Sequence, residues 1–307
     1  MEYILRTFGV SKRYQSKWVL KKVNMNIVRG DIYGFVGENG SGKTTIIRLI
    51  TGLISANEGH IELFGVSSKS SDIINARKKL GAIVEAPSIY RNMSARENLE
   101  MQADILGLKS YDKIKQVLLE VGLIDLYDDK KKAGNFSLGM RQRLGIAMAL
   151  LGDPEFIILD EPMNGLDPAG IVEIRELILR LNSERQITFL ISSHILTELS
   201  LVANKYGIIS HGTLIKEITA KELERECQPT TVIEVSDPQA LYDLLSSKNI
   251  YDNIIRLSNG VRISGSIDLN KLFSLIISEN IEILSVNCRK SSIESYYLSL
   301  LGGVNNA

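Results

Sequence analysis

The sequence predicts an α/β chain built on a buried parallel sheet, with a small α+β domain after it. Three observations carry that prediction. The runs Ile32–Val36, Phe156–Leu159 and Ile187–Ile191 are continuously apolar, the pattern of strands covered on both faces. Between and after them, Thr44–Leu53, Asp112–Val121, Leu138–Leu151 and Pro168–Asn182 space their apolar residues as helices do, so strands and helices share one core. After about Glu217 the pattern changes.

That change begins with Thr219 and, three positions on, Glu222, which resemble a capping box opening a short helix that Pro229 ends. A strand at Thr230–Val235 and a helix opened by Asp237-Pro238 are expected next. Then come a strand at Ile254–Leu257, a turn at Asn259-Gly260 and a strand at Val261–Ser264. A helix capped near Asp268, a strand at Ile281–Val286 and a helix at Ile293–Leu301 complete a βαββαβ order plus one helix, a ferredoxin-like layout. The expected domains are residues 1–217 and 218–307.

Composition narrows the partners. The 307 residues carry 36 Lys+Arg against 36 Asp+Glu, so no basic excess marks a nucleic acid or an anionic membrane surface as the partner. No run approaches the roughly 20 apolar residues of a bilayer-crossing helix; Leu144–Leu151 is short and flanked by Arg141, Arg143 and Asp153. Met1 to Arg6 lack a basic stretch leading into an apolar one, so no export signal is expected. Cys227 and Cys288 stand far apart without ligand spacing, which fits a reducing compartment and neither a metal site nor a disulfide. The Asp128–Lys132 charge cluster reads as a solvated loop.

The chemistry concentrates in Gly37-Glu38-Asn39-Gly40-Ser41-Gly42-Lys43-Thr44, which matches G-x-x-x-x-G-K-[ST] between an apolar strand and a helix. Its glycines let consecutive N–H groups and the helix N-terminus converge on phosphate oxygens. Lys43 supplies a point charge toward the β and γ phosphates, and the Thr44 hydroxyl is placed to ligate Mg²⁺. Phe156–Leu159 runs into Asp160-Glu161, two carboxylates at a strand end. Adjacent strand residues point opposite ways, so the two acids have different roles: Asp160 as an outer-shell partner of Mg²⁺, Glu161 as general base toward water. Ser137 reads as the cap of a helix whose N–H groups, with Gly139, can grip a phosphate.

Phe136-Ser137-Leu138-Gly139-Met140-Arg141-Gln142-Arg143 resembles the signature motif of ATP-binding-cassette (ABC) ATPases. The resemblance spans about residues 3–217. It implies a P-loop nucleotide-binding domain in which the parallel core sheet is joined by an antiparallel β part and a helical subdomain. It also implies ATP with Mg²⁺, held by Gly37 to Gly42 and by Lys43, Thr44 and Thr45, and a dimer in which Ser137 and Gly139 of one copy close on ATP held by the other. Within the same resemblance, Tyr14 stacks on adenine, Asn164-Gly165-Leu166-Asp167 communicates between subunits, and His194 of Ser192-Ser193-His194 contacts the γ-phosphate.

One position departs from the family. Glutamine is usual four residues after the glycine of a segment like Leu80-Gly81-Ala82-Ile83-Val84, and here that place is Glu85. Either side chain offers an oxygen to Mg²⁺. One reading is near-isosteric drift. The other, supported by Ser192-Ser193-His194-Ile195-Leu196 and the C-terminal extension, is resemblance to the glutamate-loop subgroup of bacitracin-resistance and lantibiotic-immunity exporters. That subgroup implies a separate integral membrane permease docked near Glu85 and the Arg91–Lys132 segment, a place at the cytoplasmic face of the membrane, and a peptide substrate that this chain does not bind directly. A sensing complex shares every one of these motifs. Soluble cassette ATPases differ, since they usually carry paired cassettes with basic linkers or a long coiled coil.

Overall fold

The computed structural model describes residues 2–248, 251, 253–265, 267–289 and 293–304. The chain forms two compact units, Met1–Ala220 and Lys221–Ala307.

The first unit opens with strands β1 (Tyr3–Tyr14), β2 (Lys17–Val23), β3 (Asn26–Val28) and β4 (Ile32–Val36), and helix α1 (Lys43–Thr51) follows. Next come β5 (Glu58–Leu63), β6 (Val66–Ser67), α2 (Ile73–Arg77) and β7 (Leu80–Ile83). Three helices then interrupt the alternation: α3 (Ala95–Ile105), α4 (Asp112–Glu120) and α5 (Leu138–Leu150). The unit resumes with β8 (Phe156–Asp160), α6 (Pro168–Arg185), β9 (Thr188–Ser193), α7 (Leu196–Leu199), β10 (Lys205–Ser210) and β11 (Thr213–Thr219).

Two sheets result. The larger has the order β11-β10-β4-β9-β8-β7, with every neighbouring pair parallel except β10 and β11. The other is antiparallel, β2-β1-β5-β6 with β3 on β1. Sequence periodicity alone did not reveal this second sheet, because β1 alternates irregularly and its register slips around Val10, Lys12 and Arg13. Between the sheets lies one apolar cluster: Ile4, Leu5 and Ile27 meet Tyr33, Phe35, Phe156 and Leu190, with Ile46, Ile47 and Ile50 of α1. Burying each such side chain contributes about 1.5–3 kcal/mol, so this cluster fixes α1 against the parallel strands.

Helix starts follow local chemistry. Ser94 and Glu97 form a complete capping box at α3. Ser137 caps α5 through the Met140 N–H, and Asp167 with Pro168 opens α6. The expected Arg91–Lys132 helical segment is present as α3 and α4 with one short 3₁₀ turn, Ile124–Leu126.

The second unit takes in most of α8 (Ala220–Glu226) and continues as β12 (Thr230–Val235), α9 (Pro238–Ser247), β13 (Ile254–Arg256) and β14 (Gly260–Ser264). It ends with α10 (Leu269–Ser278), β15 (Ile283–Arg289) and α11 (Ile293–Val304). The strands pair antiparallel in the order β13-β14-β12-β15 over a core of Ile233, Leu241, Val261, Ile263, Leu272 and Ile276. Asp237 and Asp268 cap α9 and α10 as expected. The turn differs from expectation. Gly260 lies in β14 rather than in the bend, paired with Glu234, and glycine is needed there because a Cβ would stand 2.0 Å from the Ile233 carbonyl oxygen. The last strand also starts later than expected, at Ile283.

A polar knot ties β3 to the parallel sheet. Tyr33 donates its hydroxyl to Glu217 at 2.8 Å, and the Asn26 N–H donates to the same carboxylate at 3.0 Å. Burial, reinforced by the Glu217 charge, pushes the Tyr33 phenol well above the ordinary tyrosine range. The neutral phenol is the form this fold prefers. Its stabilisation is therefore complete below about pH 10 and is lost as pH rises through the raised value. Tyr33→Phe should cost about 1–2 kcal/mol at neutral pH. Urea unfolding repeated at increasingly alkaline pH should show a shallower loss of stability in Tyr33→Phe than in the parent; parallel curves would contradict this.

Candidate active site

Parallel strands deliver their C-terminal ends to one edge of a sheet, and three of them build this site. β4, β9 and β8 are neighbours. Val36 pairs with Ser193, and Asp160 pairs with Ser192. The next residues, Gly37, His194 and Glu161, therefore leave the sheet together, and the Gly37 N–H donates to the Ser193 carbonyl at 3.3 Å.

From Gly37 the chain turns into α1. Gly40 and Gly42 adopt φ of +80° and +111°, left-handed conformations that favour glycine. A Cβ on Gly42 would also stand 2.6 Å from Leu20 Cδ2. α1 begins at Lys43 with no acidic residue in its first turn, so the positive end of the helix faces the loop unopposed. Asn39, Gly40, Gly42, Lys43, Thr44 and Thr45 border an open cleft that Val19 and Glu161 also line. The Glu38 carbonyl accepts the Ser41 N–H at 3.1 Å, closing the bend. The Ser41 hydroxyl is buried and unpartnered among the described residues. Leaving such a group unsatisfied costs about 1–3 kcal/mol, and a phosphate oxygen in the loop has the chemistry to satisfy it.

Charge is balanced inside the site. Lys43, 6% exposed, donates to the Gly37 carbonyl at 2.6 Å and lies 3.2 Å from Glu161 Oε1. Glu161 Oε2 lies 2.7 Å from His194 Nδ1, so one carboxylate spans an ammonium and an imidazole. The neighbouring acid faces elsewhere, although not through strand alternation: β8 ends at Asp160, and Glu161 leaves it at φ +50°. Asp160, 2% exposed, accepts the Thr44 hydroxyl at 2.9 Å on Oδ2 and the Ser192 hydroxyl at 2.5 Å on Oδ1. Among the described residues no group of three or more His, Cys, Asp or Glu side chains could hold a metal by itself. A hydroxyl beside one buried carboxylate instead suits Mg²⁺, which takes one or two carboxylates, substrate phosphates and water.

Ser137, Gly139 and Asp167 gather elsewhere. They line a second open cleft that shares no residue with the loop cleft. Ser137 accepts the Met140 N–H at 3.1 Å and Asp167 accepts the Gly170 N–H at 3.0 Å, so two helix N-termini meet there. Tyr14 stands exposed at the end of β1 opposite Lys17, with the Lys12 ammonium 5.4 Å from its ring centre. Val19, not Tyr14, lines the loop cleft. Glu85, at φ +65°, pairs with Arg48 of α1 at 2.6 Å and not with the Thr44–Asp160 pair. Sequence reading did not single out Ser192, which touches both acids. Its position at the end of an apolar strand, two residues before His194, was the available signal.

Residues 20–164 match the family described as ABC transporter. The chain is 41% identical over 312 residues to the bacitracin transport ATP-binding protein BcrA of Bacillus licheniformis, covering 99% of both chains. It is 42% identical over 214 residues to the lantibiotic transport ATP-binding protein SrtF of Streptococcus pyogenes, covering 70% of this chain and 90% of that one. Among solved structures, the dimeric MJ0796, a bacterial ABC transporter cassette, superposes with a TM-score of 0.63 at 25% identity, covering 70% of this chain and 98% of that one. The phosphate loop, the paired acids at the strand end and the second capped cluster thus stand in a chain that belongs to the ATP-binding subunits of ABC transporters.

Proposed function

We propose that this ABC ATPase powers export of antimicrobial peptides of the bacitracin or lantibiotic class through a separate integral membrane permease. The observation that carries the catalytic part is the Glu161 carboxylate, held between Lys43 and His194 at the mouth of the phosphate loop. Likeness to BcrA along the full chain supports the substrate class.

In this reading ATP lies along the loop from Gly37 to Thr45, with its terminal phosphates at Lys43 and the α1 N-terminus and its base toward Tyr14. Thr44 and Asp160 hold Mg²⁺, which supplies positive charge to the phosphate oxygens. Glu161 takes a proton from water as the water oxygen bonds to the γ-phosphorus, and the bond to ADP breaks. His194 steadies both Glu161 and the γ-phosphate. Ser137 and Gly139 come from the second copy of a dimer, and Asp167 links the two sites across its interface. Support for the dimer is that these residues line a cleft apart from the loop within one chain.

The permease docks, in the same reading, where β7 meets the helical segment, a groove lined by Val84, Pro87, Gln102, Leu106 and Met148. Glu85, between the groove residues Val84 and Ala86, reaches α1 through Arg48, which supports it as a coupling residue; its role as an oxygen toward Mg²⁺ rests on the family resemblance alone. No helix among the described residues is long and apolar enough to cross a membrane, so attachment at the cytoplasmic face comes through that permease. Residues 221–307 form an accessory domain, shared along its length with BcrA.

Glu161→Gln should keep ATP binding and lower turnover by about 10²–10⁴-fold. In cells that also make the cognate permease, it should abolish resistance to bacitracin. Turnover within a few fold of the parent would remove Glu161 as base; unaltered resistance with dead ATPase would remove the transport reading. Gly42→Ala should weaken binding of a fluorescent ATP analogue at least about tenfold, because the added methyl strains φ and meets Leu20. Parent-like affinity in that variant would show that the loop tolerates the change.

A further inference from the structure

We infer that Ser192 is a positioning residue that joins the Mg²⁺-side carboxylate to the general base, so that Asp160 and Glu161 are oriented as one unit. The inference rests on the roles proposed for those two acids.

Ser192 is 0% exposed at the end of β9, and its hydroxyl makes two contacts. It donates to Asp160 Oδ1 at 2.5 Å and accepts the Glu161 N–H at 2.9 Å. The Ser192 carbonyl accepts the same N–H at 3.2 Å. Glu161 needs such a clamp, because it is a non-glycine residue at φ +50°. That conformation is strained for a residue with a side chain and persists only where the surroundings hold it. Held there, Glu161 turns off the strand and brings its carboxylate between Lys43 and His194.

The network continues on the far side of Asp160, whose other oxygen accepts the Thr44 hydroxyl at 2.9 Å. A path of hydrogen bonds thus runs from Thr44 through Asp160 and Ser192 to the Glu161 backbone. All of its members except Glu161 lie on or under the packed sheet and α1, so it is preorganised rather than assembled during the reaction. Movement of Asp160 toward a metal is thereby felt at the backbone that aims Glu161. Alanine at this position keeps the shape of the strand and removes only the bridging oxygen.

Ser192→Ala should lower kcat about 10- to 100-fold with little change in KM for ATP. A second readout does not depend on turnover. ATP in EDTA should raise the unfolding midpoint of Ser192→Ala as it does in the parent, while the additional rise on adding Mg²⁺ should shrink to less than about half. Ser192→Thr, which retains the hydroxyl, should recover most of both. A kcat within about threefold of the parent and an intact Mg²⁺ increment would overturn the inference, and so would failure of folded Ser192→Thr to improve on Ser192→Ala. Glu161→Gln measured alongside separates the two claims. If it is dead while Ser192→Ala behaves as the parent, only the role of Ser192 falls; if Glu161→Gln turns over normally, the reading beneath it falls.

Discussion

The register of β4, β9 and β8 is the constraint on which the rest depends. Val36 stands opposite Ser193 and Asp160 opposite Ser192, so the phosphate loop, His194 and the two acids emerge at one edge. A slip of one residue would move every side chain of a strand to the other face. Here both faces are buried along all three strands, and on one of them Phe35, Phe156, Ile158 and Leu190 share the cluster that holds α1. Apolar packing with no chemistry of its own therefore places Thr44 at Asp160 and Lys43 at Glu161 to within hydrogen-bond reach.

Electrostatics inside this frame is local. With 36 cationic and 36 anionic side chains, the chain has no global field with which to attract an anion. Lys43, the unopposed N-terminus of α1 and the backbone amides of the loop do that work over a few ångströms. In the structure Glu161 and two loop carbonyls engage the ammonium, so a phosphate entering the loop competes with internal partners for Lys43. The second cleft, with Ser137 and Asp167 capping their helices, offers amide groups that the loop cleft lacks within one chain.

Much of this was legible in the sequence where chemistry demands contiguous residues. Gly37 to Gly42 had to be a loop leading into a helix at Lys43 and Thr44, and Asp160-Glu161 had to stand at the end of a buried strand. Caps at Ser137, Asp237 and Asp268 were equally local. What escaped depends on distant partners. The Glu85–Arg48 pair joins two exposed residues that no periodicity relates, and Ser192 acquires meaning only from the strand beside it. Slips in β1 hid the antiparallel sheet from periodicity, so only the family resemblance supplied it, and Asn259-Gly260 looked like a bend although Gly260 serves a close approach to Ile233. Tyr14 shows the opposite limit. A motif supplied its role, while the chain places it on an exposed hairpin beside Lys12.

The central claim is that each hydrolytic site takes its phosphate loop from one copy and its capped helix from another. Gly139 gives a clean handle, since a Cβ there would meet only Leu166, at 3.9 Å, and should leave the single chain folded. The most direct measurement is ATP turnover in a one-to-one mixture of Lys43→Ala and Gly139→Asp proteins, each inactive alone. Random pairing makes half the dimers mixed, and each mixed dimer has one intact composite site, so the mixture should regain about a quarter of parental activity. A mixture that stays as inactive as its components, with both proteins folded and exchanging partners, would contradict the account.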